Sequence, residues 1–232
     1  MAVLLIFPWY PEIVSTVKRK RRYSSPVREE SARRTRAAIV AAAAELFIAR
    51  GYAATSLADV AAMAGVARPT VFAAFGSKPA LLHEVLDQAL AGDDEPVPVA
   101  DRSWFRPVWD APTQEGVLGA YAHVCTLIGG RAALAFEAVR RAADASPEVT
   151  ELWNTLQGNR RVGAQMVVSH LQKLGPLQPG LGTRRATDLL WVFNDPALFH
   201  TLVLDCRWRE SVFTDWLSGQ MRQALLAAAG RD

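Results

Sequence analysis

Apolar residues recur at helical spacing along most of the chain, and the clearest pattern forms two short segments around one glycine. Leu57 and Val60 lie on one helical face, and Val71 and Phe75 lie on another, four residues apart. Gly65 separates the two segments, at a position where a helix that ends in a left-handed residue needs glycine. This pattern predicts two short amphipathic helices joined by a tight turn, which is a helix-turn-helix.

Both of these short helices carry a signal for their start. Ser56 precedes Asp59 by three residues, which is a serine/aspartate variant of the capping box. Pro69 falls in the first turn of the second helix, where proline is favoured. Because paired helices of this kind also occur as plain packing units, the pattern alone leaves DNA binding and simple packing both open.

Further helices flank this pair on both sides. An upstream apolar stripe runs from Ile39 to Phe47 and stops at Gly51. Downstream, Ser77 is placed to cap a helix whose apolar residues continue to Leu90. The N-terminal part of the chain is therefore predicted to be a bundle of four helices, with the helix-turn-helix in its middle.

Helical periodicity then continues to the end of the chain. The first helix is expected from about Glu29, and the later helices are expected over residues 117–128, 131–143, 147 to about 175, 183–193, 196–203 and 210–229. The pair Gly129-Gly130 is expected to end the first of these later helices before the second begins. No segment has a convincing strand pattern, so the fold is predicted to be all-α.

The order of the N-terminal helices and the residues at their junctions resemble the DNA-binding domain of the tetracycline repressor (TetR) family. The match covers about residues 36–90. It is carried by Gly51-Tyr52, Thr55-Ser56, Val60-Ala61, Ala64-Gly65-Val66, Thr70-Val71-Phe72, Phe75 and Ser77-Lys78. The resemblance implies a three-helix helix-turn-helix domain, followed by a helical domain that binds an effector and dimerises.

Three regions are expected along the chain. Residues 1–28 are a basic and disordered extension, residues 29–92 form the helix-turn-helix domain with its connecting helix, and residues 93–232 form the effector-binding and dimerisation domain. The boundary after Leu90 is indicated by a run rich in proline and acidic residues. Aromatic residues within this run suggest that part of it packs onto the second domain.

Positive charge is concentrated at the N terminus. Residues 1–36 contain nine lysines and arginines and three acidic residues, which gives this part a net charge of +6. Because the net charge of the whole chain is +3, the residues after Arg36 have a net charge of −3. The basic run at residues 18–22 has three interpretations that the sequence leaves open: an arm that reaches DNA, a solvated tail, or residues upstream of a true start near Val27. Attraction to phosphate is therefore expected mainly at this end.

The candidate DNA contacts follow from the docking geometry of a helix-turn-helix, whose second helix enters the major groove. Arg68 is placed to pair with a guanine, and helix N-termini and basic side chains suit phosphate. The candidates are Arg36, Thr55, Ser56, Arg68, Pro69, Thr70, Phe72, Ala73 and Lys78. The chain departs from the family pattern at Ala67, Phe72 and Ala74, where relatives usually carry polar residues, so some backbone contacts are expected to be missing.

The second domain supplies candidates for an apolar effector site and for a dimer interface. Helices around residues 183–206 and 210–229 are the expected interface. Aromatic and apolar residues between helices favour a pocket for a small apolar or amphipathic effector. The candidate lining residues are Tyr121, Cys125, Phe136, Trp153 and Trp191, although each is also explained by ordinary core packing.

Motifs of catalysis and metal binding are not found in the sequence. The four histidines are scattered, Cys125 and Cys206 are far apart in apolar surroundings, and no phosphate-binding or dinucleotide-binding glycine loop follows a strand. We therefore expect no enzyme, no metal and no cofactor. The short N-terminal apolar run predicts neither a membrane span nor a signal peptide, so a cytoplasmic protein is expected.

The leading hypothesis is a dimeric, ligand-responsive repressor that binds a palindromic operator in double-stranded DNA. The alternative is a helical small-molecule-binding protein or enzyme whose TetR-like domain has lost DNA binding, which the residues Ala67, Phe72 and Ala74 motivate.

Overall fold

A computed structural model describes residues 26–227, and the regular structure within this range is helical throughout. The helices are α1 Pro26–Arg50, α2 Leu57–Met63, α3 Arg68–Phe75, α4 Lys78–Ala91, α5 Arg106–Asp110, α6 Gln114–Ala142, α7 Pro147–Leu174, α8 Thr183–Phe193, α9 Pro196–Phe199 and α10 Glu210–Leu225. The predicted all-α fold is confirmed. The N-terminal extension expected at residues 1–28 lies outside the described residues, except for its last three positions, which begin α1.

The four N-terminal helices share one apolar core. Ile39 and Phe47 of α1, Val60 of α2, Val71 of α3 and Leu82 of α4 are almost completely buried. Since each of these residues lies on the apolar stripe of its own helix, burial of the stripes brings the four helices together. The first helix begins three residues earlier than the sequence predicted.

The turn between α2 and α3 has the predicted chemistry. The Ser56 hydroxyl accepts a hydrogen bond from the Asp59 backbone N–H at 3.1 Å, and the Asp59 carboxylate accepts one from the Ser56 N–H at 2.8 Å. Gly65 follows α2 with φ of +67°, a conformation that side chains disfavour. The axis bends by 111° between α2 and α3, so α3 crosses α2 at a steep angle.

The helix α6 corrects one prediction. The pair Gly129-Gly130 was expected to end a helix, but α6 runs without interruption through both residues. The reason is packing: a Cβ on Gly129 would lie 2.5 Å from Cγ of Phe199, so the glycine lets the α9 region approach the α6 backbone. By length and apolar composition α6 could span a bilayer, but half of its most apolar window is buried inside the protein, as expected for a core helix.

The remaining helices surround α6. The helix α10 packs along α6, α8 packs along α7, and their shared core includes Leu118, Val167, Leu190 and Leu217. The helix α10 ends at Leu225, four residues before the predicted end. Its predicted last residues lie partly outside the described range.

The chain between α8 and α10 is less regular than predicted. Asp195 caps α9 by accepting a hydrogen bond from the Ala197 N–H at 2.9 Å, as expected for a helix restarted at Pro196. The expected continuous helix to residue 203 is instead four α-helical residues followed by a π-helical segment, His200–Asp205. The wider turn ends near Arg207, a non-glycine residue with φ of +62°.

The helix α4 joins the N-terminal bundle to the rest of the molecule. It packs against α1 on one side and against α6 and α7 on the other. Phe136 and Val139 of α6 and Val149 of α7 belong to the same buried cluster as the N-terminal core. A displacement of α4 would therefore change the packing on both sides. The domain boundary at residue 92 stays a prediction.

Candidate DNA-binding surface and internal cavity

The helix α3 buries one side and exposes the other. Val71 is completely buried and Phe75 is half-buried against the bundle. The predicted groove-facing residues Arg68, Pro69, Thr70, Phe72 and Ala73 are all exposed, and Phe72 is 63% exposed. These side chains therefore point away from the bundle, as the helical pattern predicted. The exposed face consists of one cation, Arg68, one hydroxyl, Thr70, and several apolar groups.

The helix α3 starts without a side-chain cap. Ala67 occupies the N-cap position with an extended backbone, and no side chain accepts a hydrogen bond from the first turn. In contrast, α2 and α4 are capped by Ser56 and Ser77. The departure from the family pattern at Ala67 therefore leaves the leading end of α3 without the stabilisation that the neighbouring helices have.

Arg36 is placed differently from the prediction of a phosphate contact. Its guanidinium lies 4.1 Å above the Phe75 ring, donates a hydrogen bond to the Ala74 carbonyl at 2.9 Å and forms an ion pair with Glu84. These three partners belong to α3 and α4. Arg36 is consequently engaged inside the domain, a correction that sequence periodicity had no means to anticipate.

Thr55 is a second correction among the candidate phosphate contacts. Its side chain is 1% exposed, and its hydroxyl donates to the Gly51 carbonyl at 2.9 Å. This bond ties the turn after α1 to the start of α2. A residue buried in this way is not available to DNA in this conformation.

Ser56 and Lys78 lie closer to the surface. Ser56 is exposed, but its hydroxyl is bound to the Asp59 carboxylate at 2.6 Å, so a negative charge accompanies it. The Lys78 ammonium lies 4.1 Å from the centre of the Tyr52 ring, and burial lowers the pKa of Lys78. Lys78 begins α4, where a phosphate would also meet the helix N-terminus.

A cavity of about 560 Å³ lies among α4, α5, α6, α7 and the segment between α4 and α5. Apolar walls are provided by Phe105, Trp109, Leu156 and Met166, among others. The volume is within the range of small-molecule sites, roughly 300–1,000 Å³. The cavity is therefore large enough for an organic ligand.

Two of the five predicted pocket residues line this cavity, namely Tyr121 and Cys125. The other three lie outside its lining. Phe136 and Trp153 pack against each other with ring centres 5.1 Å apart, and Trp191 packs beside Arg160 and Arg161. These aromatics serve helix packing, as the alternative interpretation of the sequence allowed.

The inner end of the cavity is polar and tightly bonded. Arg160 is about nine-tenths buried, forms an ion pair with Asp195 at 3.1 Å and donates to the Asn194 side chain at 3.0 Å. The Asn194 amide in turn donates to the Tyr121 hydroxyl at 2.9 Å. Burial raises the pKa of Cys125 to about 12 and raises that of Tyr121 above its usual value, so both groups are neutral at pH 7.

The segment between α4 and α5 lines the cavity and is held by hydrogen bonds of its own. The buried Arg102 side chain pairs with Asp93 and donates to the Glu95 carbonyl at 2.9 Å. Trp109 donates from its indole N–H to the Ala100 carbonyl at 2.8 Å. The sequence indicated that aromatic residues of this segment pack onto the second domain. It did not indicate that Trp109, Arg160 and Asn194 line one cavity, because neighbours so distant in sequence leave no periodic signal.

An exposed second helix on a helix-turn-helix, joined through α4 to a helical body, is the arrangement of a helix-turn-helix DNA-binding protein. Residues 39–85 match the family model described as "Bacterial regulatory proteins, tetR family". These residues therefore carry the DNA-binding domain of the TetR family of transcriptional regulators.

The similar curated proteins match over a short part of the chain. The chain is 44% identical over 59 residues to the HTH-type transcriptional regulator TtgR of Pseudomonas putida, and equally to the probable regulator ArpR of the same species. Each match covers 25% of this chain and spans only 28% of the length of the relative. Sequence similarity to these proteins therefore concerns about a quarter of this chain.

Solved structures extend the similarity to the whole fold. NalD of Pseudomonas aeruginosa, described as the secondary repressor of the MexAB-OprM multidrug efflux pump, aligns with a TM-score of 0.54 and 23% identity, covering 85% of this chain and 98% of NalD. SmeT in a complex with triclosan aligns with a TM-score of 0.64 and 17% identity, covering 83% of this chain and 92% of SmeT. At these identities the likeness concerns the fold.

Proposed function

We propose that this protein is a ligand-responsive dimeric repressor of the TetR family, which binds a palindromic operator through α3 and releases it when an effector enters the cavity. The observation that carries the proposal is the exposed face of α3, with Arg68 at its leading end and Val71 anchoring its other side. Such a regulator acts on DNA, so we place it in the cytoplasm.

The exposed face of α3 supports readout of a short half-site. Arg68 is suited to bidentate hydrogen bonds with guanine, a contact worth roughly 1–3 kcal/mol of discrimination. Thr70 supplies a hydroxyl, whereas Ala73 and Phe72 supply apolar contacts of the kind that thymine methyl groups accept. Because one such helix reads only a few base pairs, a specific site calls for two copies related by two-fold symmetry.

Dimerisation is proposed through α8 and α10, which pack against each other. Each presents apolar surface to solvent: Val192 of α8 is 55% exposed and Val212 of α10 is 44% exposed, and the half-buried Trp216 follows Val212 by one turn of α10. A second copy of the chain would remove this surface from water, which is a favourable change for apolar groups.

An apolar or amphipathic effector is proposed for the cavity. Its walls are largely apolar, and its inner end holds the Tyr121 hydroxyl, which accepts a hydrogen bond from Asn194 and keeps its own proton for an acceptor on a ligand. SmeT, solved in a complex with triclosan, and NalD, described as an efflux-pump repressor, agree with such a role in proteins of this fold. An effector acts by favouring a conformation in which the two α3 helices no longer match successive grooves.

The alternative is a helical small-molecule-binding protein or enzyme that has lost DNA binding. It is favoured by the uncapped start of α3 and by the apolar residues Phe72 and Ala74 at positions that are usually polar in the family. Under this alternative the cavity is the functional site and α3 has only a structural role.

Selection of bound duplexes from random DNA tests the proposal. We expect a palindrome whose half-sites lie about one helical turn apart, and binding that weakens steeply with salt because phosphate contacts release counterions. Recovery of no common sequence, with saturable binding of Nile red in the cavity, would support the alternative.

Two substitutions, Arg68→Ala and Lys78→Ala, distinguish the DNA-binding repressor from the alternative more directly. Arg68→Ala should lose discrimination at one base pair, whereas Lys78→Ala should weaken binding on all sequences and reduce the salt slope by about one. Both variants should unfold at nearly the wild-type temperature and bind Nile red normally. Unchanged DNA binding in both would argue against docking through α3.

A further inference from the structure

The C-terminal end of the short helix α3 receives a hydrogen bond and a positive charge from a residue of another helix. No basic side chain lies in the last turn of α3, where the free carbonyl groups carry partial negative charge. Arg36 of α1 supplies the missing cation: it donates to the Ala74 carbonyl at 2.9 Å and lies 4.1 Å above the Phe75 ring. A planar guanidinium suits this double role, since it can donate and stack at once.

The position of Arg36 depends in turn on Glu84 of α4. The second terminal nitrogen of Arg36, Nη2, binds the Glu84 carboxylate, whose side chain is 25% exposed, less than the 41% exposure of Arg36. The other Glu84 oxygen accepts from the Gln88 amide at 2.9 Å. Both Glu84 and Gln88 line the cavity, so Glu84 connects the wall of the cavity to α3 through Arg36.

We propose that Arg36 is a positioning residue for α3, and that an occupant of the cavity acts on α3 by weakening the ion pair between Arg36 and Glu84. This inference rests on the proposed function and names the contact that regulates it. A ligand group that attracts Glu84, or that displaces α4, withdraws the anion that holds the guanidinium. Arg36 then loses its fixed orientation, and the C-terminal end of α3 loses its cation.

The consequence for DNA binding follows from the size of α3. An eight-residue helix has few hydrogen bonds of its own and depends on packing for its stability. Its exposed leading end reads the bases, so a change in the orientation of the anchored end moves the groove-facing residues. Because linkage is reciprocal, operator DNA that favours the ordered α3 should weaken ligand binding by the same factor as ligand weakens DNA binding.

The chain offers a matched control on the same helix. Asp87 also lies in the cavity wall, but its ion pair is with His83, 3.0 Å away on α4 itself, and not with α1. Glu84→Gln and Asp87→Asn therefore remove one carboxylate charge each from the same wall. Only the first change breaks the connection to Arg36.

The test measures binding of full-length protein to a duplex selected by the wild type, with and without saturating Nile red, an uncharged apolar dye, as the cavity probe. Without dye, Glu84→Gln should bind the duplex about tenfold more weakly, whereas Asp87→Asn should match the wild type. Nile red should weaken operator binding of the wild type and of Asp87→Asn, and should have a clearly smaller effect on Glu84→Gln.

A second readout keeps the test decisive if a variant is less stable. Amide hydrogen exchange at the C-terminal end of α3, including the Gly76 N–H that bonds to the Phe72 carbonyl at 2.7 Å, should be faster in Glu84→Gln. Arg36→Lys, which retains the charge but cannot donate and stack together, should show the same faster exchange and weaker operator binding.

Several results would overturn the proposal. These are equal operator affinity of Glu84→Gln and wild type, equal losses in both carboxylate variants, or a Nile red effect of the same size in wild type and Glu84→Gln. A wild type that selects no duplex would instead refute the proposed function itself, so the two failures are distinguishable.

Discussion

Single residues in this protein often serve packing where their type suggests another role. Thr55 and Arg36 have the chemistry of phosphate contacts, yet the first is buried at a turn and the second is bound to α3 and α4. Sequence could identify the exposed residues of α3 because helical projection depends only on neighbours in the chain. It could not identify the partners of Arg36, which are 38 and 48 residues away.

Gly129 illustrates the same dependence and gives a stability prediction. Gly129→Ala should lower the free energy of unfolding by about 1–3 kcal/mol, because the new methyl group overlaps Phe199. The matched change Gly158→Ala, at an exposed site in α7 with no atom near the added Cβ, should raise it by about 0.5–1 kcal/mol. Urea unfolding measures both, and two changes of equal sign would contradict the packing explanation.

Glu137 provides a prediction on pH. Hydrogen bonds and charge interactions with Arg140 and Arg141 lower the pKa of Glu137 from 4.5 to about 2. Since the folded state holds the proton less tightly than the unfolded state, the carboxylate stabilises the fold above about pH 4.5, and this contribution is lost as the pH falls through 2.

Glu137→Gln should therefore reduce stability at pH 7, and the difference from the wild type should shrink between pH 4.5 and pH 2. Thermal unfolding across this range measures the difference. A difference independent of pH would show that the ion pairs on this face do not carry the effect.

At the scale of helices, the start and stop signals were largely predictable. The capping box of α2, Pro69 in the first turn of α3 and the Ser77 cap of α4 are all confirmed. These signals are local hydrogen bonds between residues within about four positions of each other. The break expected at Gly129 was wrong because a glycine in a helix is tolerated where a neighbouring element needs the space.

The uncapped start of α3 gives an element-scale prediction. Ala67→Ser should add a side-chain acceptor for the first turn, since Ala67 already has the extended N-cap conformation, and should stabilise the protein by about 0.5–2 kcal/mol. Ser56→Ala in α2 is the reverse experiment and should cost about the same. Denaturant midpoints decide this, and no gain from the added serine would mean that α3 is capped in another way.

For the whole molecule, the proposed dimer surface is the feature most open to test. Val192→Glu on α8 and Val212→Glu on α10 should shift the protein toward the monomer in sedimentation measurements, because each places a charge in the proposed apolar contact. Leu134→Glu on α6 is the control at a site of similar exposure, 44%.

Loss of the dimer should also weaken operator binding, since one α3 helix reads too few base pairs for a specific site. If the α8 and α10 variants remain as dimeric as the α6 control, the interface lies elsewhere on the molecule.

By itself the sequence determined the helical class, the helix-turn-helix and the exposed face of α3, because periodicity, caps and turn glycines act within a few residues. Only the tertiary structure decided that Tyr121 and Cys125 face a cavity while Phe136 and Trp153 face each other. It alone decided that Arg36 meets Glu84. Such neighbours are set by how whole helices cross, and crossing depends on packing across the entire core.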